Sequence, residues 1–118
     1  MVSAVILAAG ESKRMGEKKE LLPIAGQPMV RLVVEQVLRS WKVDEAIVVL
    51  GDGANEVGGA LSGLSDGRIE FVGNARYAEG MGTSLATGVK ACSWGSEAVV
   101  VILADTPFLR TELLGALI

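Results

Sequence analysis

The chain has 118 residues, half of them apolar, with a net charge of −3 and a pI of about 4.9. That is one domain's worth of chain, and its acidic balance excludes broad electrostatic attraction to nucleic acid or an anionic membrane. The single cysteine, Cys92, excludes an internal disulfide, and the lack of histidine excludes a His-ligated metal site. With two Trp, one Tyr and two Phe, the interior must be filled by Val, Ile, Leu and Ala. Such a core suits parallel strands buried on both faces. The Val2–Ala9 run has no basic leader before it and enters a highly charged loop, so it does not read as a signal peptide. Ala98–Ala104 is too short to cross a bilayer. A soluble, cytoplasmic protein is expected.

In chain order, Val2–Leu7 is the first predicted strand: short, β-branched and bounded by Ala-Ala-Gly. Pro28, as a first helical residue, opens a helix to about Trp41. Its apolar stripe is Val30, Val33, Val34, Val37, Leu38 and Trp41, with Arg31, Glu35 and Arg39 on the other face. Glu45–Leu50 is a second buried strand, broken by Gly51-Asp52-Gly53. Ala54–Leu64 is a weak helix, since Gly58, Gly59 and Gly63 lower its propensity. Arg68–Val72 is the third strand. A loop from Gly73 to Gly82 leads to a helix from about Thr83 to Ser93, with Leu85, Val89 and Cys92 expected to face inward and Thr83 or Ser84 to cap it. Ala98–Ala104 is the fourth strand, ending at Asp105-Thr106-Pro107, and a last helix begins near Arg110.

Strands alternating with helices predict a parallel α/β sheet with right-handed crossovers, and the fold expected is a three-layer αβα, Rossmann-like sheet of order 3-2-1-4. Ligands in such sheets sit beyond the carboxyl ends of the strands, here the loops Ala8–Lys19, Gly51–Gly53, Gly73–Gly82 and Asp105–Phe108. The first loop is the richest in chemistry. Ala8, Ala9 and Gly10 allow close backbone approach to a ligand, while Arg14 and Lys19 supply positive charge for a polyphosphate. Lys13 and Lys18 read as solvent-facing. The spacing matches neither the Walker A loop nor the Gly-x-Gly-x-x-Gly turn. In the third loop, Gly80 and Gly82 make a turn at a helix start. Asp105, at a strand end, either begins the turn before Pro107 or offers oxygen to Mg²⁺. Cys92 reads as core rather than nucleophile.

Leu-Ala-Ala-Gly-x-Ser-x-Arg-Met-Gly-x-x-Lys, over residues 7–19, resembles the signature loop of nucleotidyltransferases, most closely the molybdenum cofactor cytidylyltransferase and guanylyltransferase family. Asn-x-x-Tyr-x-x-Gly-Met-x-x-Ser-Leu-x-x-Gly, from Asn74 to Gly88, resembles the second signature of its cytidylyl branch, with Ala75 where that branch usually has Pro. Leu-Ala-Asp-Thr-Pro, from Leu103 to Pro107, is similar to the family's Gly-Asp-x-Pro, with Ala104 in place of the Gly. The resemblance implies transfer of CMP from CTP to a phosphate acceptor, molybdopterin carrying molybdenum, with release of pyrophosphate. GTP in place of CTP is the guanylyl-branch variant. Arg14 and Lys19 would act on the triphosphate, and Asp105 would bind Mg²⁺. Leu7, Ala8, Ala9, Gly10, Ser12, Gly80, Met81 and Ser84 would hold the nucleotide.

Family members are longer than this chain. The resemblance therefore predicts residues 1–118 to be a nucleotide-binding domain truncated at its C-terminal end, part of a larger mixed sheet, without the acceptor-binding half. A molybdoenzyme is the partner expected of the full-length protein. Two other readings stand beside this one: a sugar- or polyol-phosphate nucleotidyltransferase, and a non-catalytic nucleotide-binding fragment.

Overall fold

The computed structural model describes residues 1–9, 23–24, 26–51, 54–64 and 66–104. Its elements are β1 (Val2–Ala8), β2 (Pro23–Ile24), β3 (Gln27–Pro28), α1 (Met29–Leu38), β4 (Glu45–Leu50), α2 (Ala54–Ala60), β5 (Ile69–Gly73), a 3₁₀ turn (Tyr77–Glu79), α3 (Met81–Ala91) and β6 (Ala98–Leu103). The main sheet runs β5-β4-β1-β6 with every pair parallel, which is the predicted 3-2-1-4 order. The two-residue strands β2 and β3 form a separate antiparallel pair around Gly26, whose φ of 83° requires the left-handed region. Nothing in the hydrophobic pattern announces that pair.

β1 alternates its side chains between two cores, as a central strand must. On one face Ala4, Ile6 and Ala8 meet Val30, Val33, Val34 and Val37 of α1 and Val57 of α2. On the other, Val5 and Leu7 pack with Ile47 and Val49 of β4, beneath α3. The result is helix, sheet and helix in three layers.

Three elements differ from expectation. α1 stops at Leu38, so Trp41 leaves the predicted stripe and stands 85% exposed in the following turn. Pro28 closes β3 and caps the helix from outside instead of starting it. Arg68 fastens the end of the helix and the turn beyond it. That guanidinium donates to the carbonyls of Leu38, Ser40 (3.1 Å) and Val43 (3.0 Å). α2 ends at Ala60, and Gly63 turns the chain with φ 85°.

α3 is the largest correction. It begins at Met81, its N-cap is Gly80 with no side-chain cap, and neither Thr83 nor Ser84 takes that place. Leu85 and Val89, expected inside, are exposed, and Cys92 is half-buried. The buried positions are Ser84 and Gly88. A β-carbon at Gly88 would collide with Val5 and reach 3.0 Å from a Val49 methyl. Small residues let this helix lie close on the sheet, and that close approach outweighs the apolar periodicity that pointed to Leu85 and Val89. The helix expected near Arg110 lies outside the described residues.

Candidate functional site

Parallel strands place all their carboxyl ends on one edge, so β1, β4, β5 and β6 deliver their following residues to the same side. Hydrogen bonds continue this alignment past the strand ends. Asn74 N–H donates to the Leu50 carbonyl (2.7 Å), and Ala104 N–H to that of Leu7 (3.0 Å). Leu7 and Ala8 turn their side chains into opposite cores, so what they present to a ligand is backbone.

The loops meet at Gly51. A β-carbon at this residue would stand 2.7 Å from Cβ of Tyr77, 2.8 Å from Cβ of Ala9 and 2.9 Å from the Ala9 carbonyl oxygen. Here the missing side chain is a packing requirement. It allows the end of β1, the end of β4 and the 3₁₀ turn to touch, which sets Ala9 directly beside Tyr77.

Asn74 holds the second loop in place. Its backbone closes β5 against β4, and its side chain is 5% exposed. The side-chain carbonyl accepts from Arg76 N–H at 3.0 Å, and the amide donates to Thr83 Oγ1 (2.9 Å) and Ser84 Oγ (2.8 Å). Because a backbone N–H can donate but not accept, the Arg76 contact fixes which end of the amide points where. Thr83 Oγ1 in turn lies 2.8 Å from the Gly80 carbonyl and 2.9 Å from that of Arg76, either of which can take its proton. Gly80 itself has φ 120°, open to glycine and strained for other residues.

The surface this leaves has Gly80 and Met81 outermost, Met81 at 59% exposure. Ser84 is buried, its hydroxyl turned toward Asn74. Arg76 makes a two-point ion pair with Glu79 (2.8 and 2.7 Å). The hydrogen bonds raise the Arg76 pKa and lower that of Glu79, so both stay charged and engaged with each other. Burial pushes the Cys92 thiol up, keeping it protonated, in accord with a packing role.

Of the sequence-predicted site residues, the fold brings Leu7, Ala8 and Ala9 to the same edge as Gly80, Met81 and Ser84. Gly10, Ser12, Arg14, Lys19 and Asp105 lie outside the described residues. Ala104, which precedes Asp105, is the residue bonded to Leu7. Among the described residues no three acidic or cysteine side chains gather as a metal site. No helix of the described residues is long and apolar enough to cross a membrane. Sequence reasoning read Gly51 as a strand breaker, Thr83 as a helix cap and Tyr77 as a motif position, and missed the contacts that Gly51, Tyr77 and Thr83 make. For Asn74 it had a signal, the first position of the second motif, but no function.

Residues 4–118 match the family model of the MobA-like NTP transferase domain. The bifunctional protein GlmU of Listeria monocytogenes serotype 4a (strain HCC23) is 38% identical over 98% of this chain. The match takes in 24% of that protein, so the chain spans about a quarter of the length of the curated relatives it matches. A nucleotidyl transferase from Methanothermobacter thermautotroptrophicus superposes with a TM-score of 0.84 at 35% identity, over 97% of this chain and 55% of that one. The 4-diphosphocytidyl-2C-methyl-D-erythritol synthase of Anaerococcus prevotii DSM 20548 gives 0.81 at 26% identity, over 98% and 48%.

Proposed function

The chain belongs to the MobA-like NTP transferase family, and from that premise we propose that it is the nucleotide-binding part of a cytoplasmic cytidylyltransferase. The observation that supports this reading is the junction at Gly51, which brings Ala9, from the first signature, against Tyr77 of the second. Ala8, Ala9 and Gly10 would admit the triphosphate close to backbone N–H groups, with Leu7 and Ser12 at either end of that turn. Arg14 would bridge phosphate oxygens with its planar fork, and Lys19 would add a mobile point charge. Gly80 and Met81 would receive base and ribose, with Ser84 supporting them from within through Asn74.

The reaction is attack by an acceptor phosphate oxygen on the α-phosphorus of CTP, breaking the bond to pyrophosphate, which leaves. Catalysis of this kind is positioning plus charge stabilisation, so no activated side-chain nucleophile is required. Asp105, which follows Ala104 in the sequence, would offer carboxylate oxygen to Mg²⁺. When bound there, the ion would neutralise phosphate charge.

The acceptor proposed is molybdopterin, from the Asn-x-x-Tyr-x-x-Gly-Met-x-x-Ser-Leu loop. A polyol phosphate is the second reading, favoured by the structural likeness to a synthase whose product is a cytidyl diphosphate of methylerythritol. Calorimetry with Mg²⁺ tests the nucleotide, and CTP is expected to bind more tightly than GTP. Arg14→Ala and Lys19→Ala are expected to weaken CTP about ten- to a hundredfold, while Lys13→Ala and Lys18→Ala leave it unchanged. Equal losses at all four positions would reduce the loop to a diffuse basic patch. Pyrophosphate release by the full-length protein, assayed with molybdopterin and with polyol phosphates in turn, decides the acceptor.

A further inference from the structure

We infer that Asn74 is the positioning residue of the base-and-ribose subsite, acting through the Arg76–Met81 loop and never touching the nucleotide. This role rests on the nucleotide site proposed above. Three features assign it. First, both side-chain donors are spent and burial leaves the remaining carbonyl lone pair out of a ligand's reach. Both amide hydrogens go to Thr83 and Ser84, the carbonyl goes to Arg76 N–H, and the group is 5% exposed.

Second, the groups it binds bracket the turn that would meet the nucleotide. Arg76 precedes that turn, Thr83 and Ser84 follow it, and Thr83 Oγ1 reaches back to the carbonyls of Arg76 and Gly80. The loop is thus closed on itself around one buried amide. Third, α3 has no side-chain cap. The direction in which its first turn presents Gly80 and Met81 is therefore set from below, by Asn74 on Thr83 and Ser84.

A residue with this geometry has a signature that general destabilisation lacks. The phosphates would be held by the loop after β1, whereas the hydrogen bonds of the Asn74 side chain run to Arg76, Thr83 and Ser84. The base and ribose would be held by the loop it ties down. Loss of the amide should therefore separate the two halves of the ligand. The test is titration of the 118-residue chain, with Mg²⁺, against CTP and against inorganic triphosphate, for wild type, Asn74→Ala, Asn74→Asp and Thr83→Val. Misplacement of the loop in Asn74→Ala is expected to weaken CTP by about tenfold or more, with triphosphate affinity held within about twofold.

Asn74→Asp keeps an acceptor for Arg76 N–H, and the Ser84 hydroxyl can turn to donate to it, whereas Thr83 must give up its bond to the Gly80 or Arg76 carbonyl to do so. It should recover part of the CTP affinity. Thr83→Val, which leaves the buried Asn74 in place, should show the same selective loss on a smaller scale and stands in if Asn74→Ala does not fold. Parallel losses for CTP and triphosphate, or no loss for CTP, would overturn the positioning role while leaving the nucleotide site standing. A wild-type chain that binds triphosphate and CTP equally would overturn the base subsite and Asn74's role together. One that binds neither would overturn the nucleotide site itself.

Discussion

The two edges of the main sheet are built from different chemistry. At the amino edge, where β1, β4 and β6 begin, charge is buried and tied down. Glu45, 9% exposed, accepts from Ser3 Oγ (2.5 Å), Ser93 N–H (2.7 Å) and Ser93 Oγ (2.7 Å), and Ser3 Oγ meets Ser96 Oγ at 2.6 Å. Beside it Asp44 accepts from Val2 N–H, and Arg68 gathers the carbonyls at the end of α1 while pairing with Asp66 at 2.9 Å. At the carboxyl edge the described contacts are made by Ala9, Gly51, Tyr77 and Asn74, and the ion pair present, Arg76 with Glu79, is largely exposed. One edge spends its polar groups on fastening strands and loops. The other, among the described residues, packs small residues closely at Gly51 and fixes a loop with a neutral amide. In parallel α/β sheets the carboxyl edge is where ligands sit, and the division of labour follows.

If that division is real, substitutions at the amino edge should cost stability and spare binding. The largest effect is expected at Glu45→Ala, which strands the donors of Ser3 and Ser93 and should lower unfolding free energy by about 3 kcal/mol in urea titration. CTP affinity of the folded protein should not change. Glu45→Gln, which retains an acceptor, should cost less. Next is Arg68→Ala, expected to remove about 2 kcal/mol by uncapping α1 and freeing the α1–β4 connection. Gly51→Ala is the opposite case. Its methyl must displace Ala9 or Tyr77, so CTP binding should fall by more than the accompanying loss of stability, about 1–3 kcal/mol for overpacking.

Acid gives a smaller effect with a definite sign. The hydrogen bonds from Arg68 hold the Asp66 carboxyl at about 2, below its ordinary 3.8. Burial raises the Glu45 pKa, but hydrogen bonds from Ser3 and Ser93 outweigh it and leave that carboxyl low as well. A depressed carboxylate stabilises the fold above its ordinary pKa, and the contribution is lost as pH falls through the folded value. Thermal midpoints should therefore drop between about pH 4 and pH 2, and Asp66→Asn should flatten part of that limb. Arg76→Ala, at an exposed pair, should leave the midpoint where it is.

Much of this was legible in the sequence, and the failures share a cause. Glu45–Leu50 matches its predicted bounds, and β1 differs by one residue, because β-branched runs bounded by glycine leave little choice. The parallel sheet, and the placing of Ala9 and Gly80 at its carboxyl edge, followed from the alternation of strands and helices. α3 was read on the wrong face because apolar spacing cannot register a helix that approaches through Ser84 and Gly88. Trp41 was misplaced because the chain leaves the helix after Leu38 into a turn fastened by Arg68, which is distant in sequence. Gly51 and Asn74 were underrated for a like reason. A glycine after a strand reads as a breaker, and an asparagine as a turn, until the partners that require them are brought into contact. Local pattern identifies elements, whereas long-range contacts decide which face and which residue matter.

The central claim is that the nucleotide occupies the carboxyl edge, and backbone amide shifts on titration with CTP and Mg²⁺ test it most directly. The predicted result is a contiguous set of shifted amides at Ala8, Ala9, Gly51 and Gly80 through Ser84, with Ser3, Glu45, Ser93 and Ser96 unmoved. Shifts centred on the Glu45 cluster, or spread evenly over both edges, would contradict it.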